Sequence, residues 1–188
     1  MSQGAAFSRA GDAVYERMEK INAELFSLTY GALVMQLLKD AEGNVEDVNA
    51  QLDELGHHIG TRLVDEFLAK TNTGMCASFH EAMDRLARVG LRMFLGVTAQ
   101  TERWNEADDE CDVVLADNPI TEFVELPDHL AELRYCNLLC GVFRGALEMV
   151  RMRVDCRIVW DDLKGEQCLA IHVKLHEIVR DEFYDEDD

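Results

Sequence analysis

Among the side chains that could carry chemistry, the cysteines are the most unevenly placed. Six occur, along with six histidines. Cys136 and Cys140 are spaced to share a helix face and, with a distant histidine, outline a metal site. Buried, reduced thiols on an apolar helix explain that spacing more often, so no metal is expected. His57 and His58 are adjacent rather than one turn apart, so their side chains diverge and cannot chelate one ion together. They read as a half-exposed helix pair. Acidic pairs are abundant, but solvated helix faces account for them. Cys76 is set differently. It closes Asn72-Thr73-Gly74-Met75-Cys76, a turn just ahead of a helix, where the helix dipole should favour its thiolate. On the residues alone it is a surface thiol. No phosphate-binding loop, dinucleotide fingerprint, nucleophile elbow or metalloprotease helix occurs, so no enzyme site assembles.

The elements around these residues change period along the chain. Residues 25–38 repeat apolar positions at helical spacing and stop at Gly43-Asn44. A second helix spans 48–69, with Leu52, Leu55, Ile59, Leu63 and Phe67 along one side. After a turn-rich stretch at 71–74, Ser78 caps a third helix with Glu81 as its first-turn acid; Met83, Leu86, Gly90 and Phe94 recur on one face. Cys111, Val113 and Leu115 then alternate with Asp112, Val114 and Ala116, which predicts a strand. A connector at 118–128 holds both prolines and leads into a helix over about 131–152. Two alternating runs, one through Cys156, Ile158 and Trp160, the other through Leu169, Ile171, Val173 and Leu175, flank a turn at 162–165 as a β-hairpin. The sum is α+β, with helices first and a small antiparallel sheet late.

Residues 135–150, YCNLLCGVFRGALEMV, are apolar almost all round and predict a buried central helix. Gly141 and Gly145, one turn apart, would let another backbone approach closely. The pair is reminiscent of a membrane dimerisation motif, but Arg144 between the two and the short apolar length favour a soluble core helix.

Composition sets the outer limits. A chain of 188 residues with 48% hydrophobic residues can bury one sizeable core. Lys and Arg total 18 against 37 Asp and Glu, a net charge of -19. With no basic stripe, binding of nucleic acid or unaided attachment to anionic membranes is not expected. The first 13 residues lack a signal-peptide core, Ser2 does not fit N-myristoylation, and no stretch approaches transmembrane length. The expectation is a cytosolic protein with reduced thiols.

Four segments taken together carry a resemblance: ELFSLTYGALVMQLLKD (24–40), LGHHIGTRLVDEFLA (55–69), ADNPITEFVELPD (116–128) and the 135–150 helix. They resemble the Bet-three subunits of TRAPP, the transport protein particle of the early secretory pathway. The resemblance implies an α/β-plait, with N-terminal helices packed on a small twisted antiparallel sheet. The domain would run over 24–176, with an N-terminal extension at 1–23 and an acidic tail at 177–188. It implies homodimers or heterodimers with other small TRAPP subunits, in a complex that tethers vesicles and activates a Rab GTPase by nucleotide exchange. The location implied is cytoplasmic, peripheral to endoplasmic reticulum and Golgi membranes, with no transmembrane insertion. Exchange activity would belong to the complex, and the chain itself would not be an enzyme.

The same resemblance implies a palmitoyl thioester on Cys76, or a free fatty acid in the same internal channel. At about 0.8 kcal/mol per buried methylene, such a chain gains on the order of 10 kcal/mol by leaving water, enough to make it part of a core. Gly90 matches a position that is small in the family, which keeps the channel open; Met83, Leu86 and Phe94 are the neighbouring lining candidates. Two departures stand out. Met75 replaces a residue that is basic in some relatives, which should raise the thiol pKa and slow self-acylation. Six of the last eight residues are acidic, which either keeps the subunit soluble or repels phosphates near a bound GTPase. Two other functions fit less well: a sensory module holding a reversible apolar ligand, with Cys136 and Cys140 facing the cavity, and an acyltransferase passing on the Cys76 acyl group. For the latter, His80, one turn along, is the nearest base in sequence.

Overall fold

Asparagine side chains start the two long helices of the first half. Asn22 accepts from the Leu25 N–H at 2.9 Å and Asn44 from that of Asp47 at 3.4 Å, satisfying donors that a helix start leaves free. A computed structural model describes residues 3–74 and 76–179, so Met75 and the acidic tail beyond 179 lie outside it. Helix α1 (Gln3–Tyr15) lies in the stretch set apart by sequence as an extension. Helices α2 (Ala23–Asp40) and α3 (Val45–Thr71) follow, and α3 ends on Asn72 in the left-handed region at φ 50.

Ser78 caps the next helix as predicted, accepting from the Glu81 N–H at 3.2 Å. That helix is not continuous. Helix α4 (Phe79–Arg85) passes through a π turn at Leu86–Gly90 into α5 (Leu91–Leu95). The wider turn takes up the drift an α-helix accumulates over eight residues, so Leu86, Gly90 and Phe94 stay in line. Met83, three residues earlier on the regular helix, is buried in the core instead.

The sheet is entirely antiparallel, in the order β1-β2-β4-β3. It comprises β1 (Gln100–Glu102), β2 (Glu110–Leu115), β3 (Met152–Trp160) and β4 (Leu169–Ile178). Cys111, Val113 and Leu115 pair with Val173, Ile171 and Leu169, and all six are buried on the helix side. The hairpin β3–β4 and the strand at β2 are where the alternation puts them; the three-residue β1 is too short to leave a pattern.

Helix α6 runs over Asn137–Met149, shorter at both ends than the 131–152 expected. At its start, the Asn49 side chain donates to the Glu132 carbonyl at 3.1 Å and accepts from the Arg134 N–H at 2.7 Å. Those groups are therefore withheld from a helical ladder, and 3₁₀ turns occupy the stretch. Tyr135 is buried in a turn and Cys136 is only the N-cap of α6, so Cys136 and Cys140 do not share a helix body. At the other end Met152 begins β3.

Helix α6 lies between β3 and α3. Gly141 and Gly145 meet Gly56 and Gly60 of α3. A Cβ on Gly56 would collide with the Leu138 carbonyl and one on Gly60 with that of Val142; on Gly141 and Gly145 it would strike the carbonyls of Asp53 and His57. Arg144 reaches across to the Asp53 carboxylate. Thus α3 packs through Val48, Leu52, Gly56, Gly60 and Val64, and the stripe of Leu55, Ile59, Leu63 and Phe67 stands beside the contact rather than in it.

Candidate functional site

Beside the α3–α6 contact the helices and the broken third helix enclose an apolar cavity of about 340 Å³. Its volume falls in the ~300–1,000 Å³ range of small-molecule pockets. Ile59, Leu63 and Phe67 form one wall from α3, Val142, Phe143 and Ala146 a second from α6, and Leu86, Gly90 and Phe94 a third. Gly74, Cys76 and Arg85 also line it. A Cβ on Gly90 would meet only the Arg85 carbonyl, at 3.9 Å, so the wall is open there. Met83 is not part of the lining; it is fully buried in the core.

Cys76 is half-buried beneath a braced turn. Glu81 accepts from the Ala77 N–H at 2.8 Å and from Arg85 Nη2 at 2.6 Å, while Arg85 Nη1 donates to the Gly74 carbonyl at 2.7 Å. These bonds tie Gly74 and Ala77 to α4 beside the Ser78 cap. Burial pushes the Cys76 thiol above its ordinary value; the Arg85 guanidinium draws it back down and Glu81 adds a smaller upward push. The expected thiolate at a helix start is therefore overridden, because lost hydration outweighs the field of a seven-residue helix.

The other candidates are engaged elsewhere. The His80 ring stacks on Trp104 with centroids 4.1 Å apart, and its Nδ1 lies 3.8 Å from Asp108; it does not line the cavity. His57 bonds Glu148 at 2.6 Å, while His58 is exposed. Cys136, Cys140 and Cys111 are buried, with thiols pushed well up by lost hydration; Cys140 also reaches about 12. Cys136 accepts from Asn118 Nδ2 at 3.4 Å. Neither Cys136 nor Cys140 lines the cavity. Among the described residues no group of three His, Cys, Asp or Glu could hold a metal. No described helix is long and apolar enough to cross a membrane.

The sequence places Ile59, Leu63 and Phe67 along one side of the second helix without showing what they face; Ile59 is 40% exposed, and the cavity accounts for an apolar residue there. No pattern marks Arg85 as part of the lining.

An acidic α+β protein with an apolar cavity and a cysteine at its edge has close relatives. The transport protein particle (TRAPP) component family model matches residues 26–174, and the chain belongs to this family. It is 47% identical over 176 residues to trafficking protein particle complex subunit 3 of Dictyostelium discoideum, covering 93% of this chain and 94% of that protein. Identity to transport protein particle subunit bet3 of Schizosaccharomyces pombe is 45% over 176 residues, covering 93% and 95% of the two chains. The crystal structure of trafficking protein particle complex subunit 3 from Naegleria fowleri, covalently bound to palmitic acid, superposes with a TM-score of 0.82 at 42% identity, over 87% of this chain and 100% of that one. The phenol-responsive sensory domain of the activator PoxR, bound to phenol, is alike in fold alone: TM-score 0.50 and 16% identity, over 84% of this chain and 76% of that one. The relatives are named as subunits of a trafficking protein particle complex, and the fold of helices on a small antiparallel sheet is shared with the Naegleria subunit.

Proposed function

We propose that this chain is an acyl-loaded core subunit of a TRAPP tethering complex, with a palmitoyl chain held as a thioester on Cys76 and extended through the cavity. One observation carries the reading: among the described residues, the one cysteine lining the apolar cavity is the one that the resemblance assigns to acylation. The palmitate on the Naegleria relative supports the same chemistry. The acyl chain is structural, filling space between α3, α6 and the third helix; Leu86, Gly90 and Phe94 shape its path. A free fatty acid would occupy the same channel.

Assembly follows a second feature. Ile21, Leu25, Leu28 and Met35 are 71%, 61%, 68% and 67% exposed. At spacings of four, three and seven they line the outer face of α2 and its approach, while Ser27, Tyr30 and Val34 serve the core from the other face. An apolar stripe of that period fits a matching helix of a second small TRAPP subunit, identical or related. In the assembled complex, peripheral to endoplasmic reticulum and Golgi membranes, the subunit contributes to nucleotide exchange on a Rab GTPase. Alone it has no such activity. The domain over 24–176 does this work, and the acidic tail at 177–188 maintains solubility.

Intact-mass spectrometry of the purified chain tests the reading. The expected result is a palmitoyl increment that hydroxylamine removes and that Cys76→Ser lacks. A mass that stays unmodified after incubation with palmitoyl-coenzyme A would sink the acyl claim. Release of an apolar molecule by mild extraction, without hydroxylamine, would favour a reversible sensory module instead. For assembly, copurification that recovers no related small subunit counts against the complex.

A further inference from the structure

Arg85 is the single charged residue among those lining the cavity. It is also nearly immobilised. Nη1 and Nη2 are bonded to Gly74 and Glu81, and the Phe7 ring of α1 lies 5.8 Å from the guanidinium carbon. Of its other N–H groups, the one on Nε is buried and has no hydrogen-bond partner among the described residues. A buried charged donor without an acceptor is unfavourable, more so than a neutral one. Here it belongs to a residue that shares the cavity with Cys76 and with the path an acyl chain would follow.

We propose that Arg85 is a catalytic residue of Cys76 acylation, its Nε–H receiving the carbonyl oxygen of the incoming acyl group. The inference rests on the acyl reading above and deepens it. The donor is a long-chain acyl thioester. Cys76 releases its proton to water, and the thiolate sulfur attacks the carbonyl carbon to form a new C–S bond. The carbonyl electron pair moves onto oxygen, where the guanidinium stabilises it. Collapse restores the C=O and breaks the donor C–S bond; the donor thiolate leaves and takes a proton from water. One thioester replaces another, and nothing is oxidised. Afterwards the thioester carbonyl remains the acceptor that Nε–H otherwise lacks.

Arg85 also answers the departure at Met75. The positive charge that some relatives carry beside the cysteine in sequence is supplied here from α4. The charged groups bearing on Cys76 are Arg85 and Glu81, of opposite effect, with burial the larger influence.

The test uses the full chain and palmitoyl-coenzyme A, with acyl uptake followed by intact mass from about pH 6 to about pH 10, a range over which the thiolate fraction of a raised thiol climbs steeply. Alkylation of Cys76 by N-ethylmaleimide, read by peptide mapping, reports the thiolate without an acyl carbonyl. Arg85→Gln should slow acylation on the order of 10²-fold, slow alkylation much less, and move both profiles to higher pH. Arg85→Lys keeps the charge and a bond to Glu81 but not the Nε donor. It should alkylate like the parent and acylate more slowly, and it carries the test if Arg85→Gln melts early. Acylation of both variants at the parental rate overturns the proposal, as does an equal fall in acylation and alkylation. A parent chain that takes up no acyl group at any pH overturns the acyl reading itself; that result is distinct from a parent that acylates as fast as its variants.

Discussion

Glycines serve two opposite purposes in this fold. At Gly56, Gly60, Gly141 and Gly145 the missing side chain is replaced by another backbone, and α3 and α6 lie in direct contact. At Gly90 the missing side chain is replaced by nothing from the protein, and the wall of the cavity stays open. The first kind fixes two helices at their closest approach; the second preserves room that a packed core would close. The same residue type thus builds the most rigid part of the molecule and its most accommodating part.

Substitution should separate the two kinds sharply. The largest effect is expected for Gly60→Leu or Gly145→Leu, where the colliding atoms are backbone and cannot rotate away. A loss of about 3 kcal/mol or more is expected, read as a lower urea midpoint or as failure to fold; a midpoint within error of the parent would dissolve the comparison. Gly90→Leu comes next and has the opposite signature. Its Tm should stay near that of the unacylated parent, while acyl uptake by intact mass disappears. A Gly90→Leu chain that still holds a protected acyl group would show that the channel runs elsewhere.

Removing the acyl chain acts on the same space without changing the sequence. Hydroxylamine treatment of an acylated sample should lower Tm by several degrees or more, since each ~1 kcal/mol lost moves the midpoint of a domain this size by about 2–4 °C. No change in Tm would place the chain outside the core. The smallest effect is expected at the exposed edge of the α3–α6 contact. There the His57 hydrogen bond holds Glu148 below its ordinary value of 4.5. A lowered carboxylate pKa stabilises the fold fully above 4.5 and loses that contribution as pH falls through the lower folded value. Glu148→Gln should therefore cost no more than about 1 kcal/mol near neutrality, with the difference from the parent vanishing in acid titrations followed by circular dichroism.

Local chemistry made much of this legible. Ser78, Gly141 with Gly145, the alternation of β2, β3 and β4, and the turn around Cys76 are all marked by residue type and spacing. Gly56 and Gly60 went unread because a glycine inside a helix announces a partner only once the partner is known. The start of α6 was missed because Asn49, 83 residues before the carbonyl it binds, takes the backbone out of the helix. The π turn leaves no composition signal at all, yet it aligns Leu86, Gly90 and Phe94. Arg85 stands four residues after Glu81 on the same helix, the spacing of an ordinary ion pair; its place in the cavity lining is what distinguishes it.

The glycine contact also has a history during synthesis. Asp53 and Arg144, which clasp across it, are 91 residues apart. At about 5–20 residues per second a ribosome needs on the order of 5–20 s to deliver α6 after α3 has emerged. Throughout that interval the face of α3 around Gly56 and Gly60 lacks the helix that closes it. The core can therefore assemble only once most of the chain has been made.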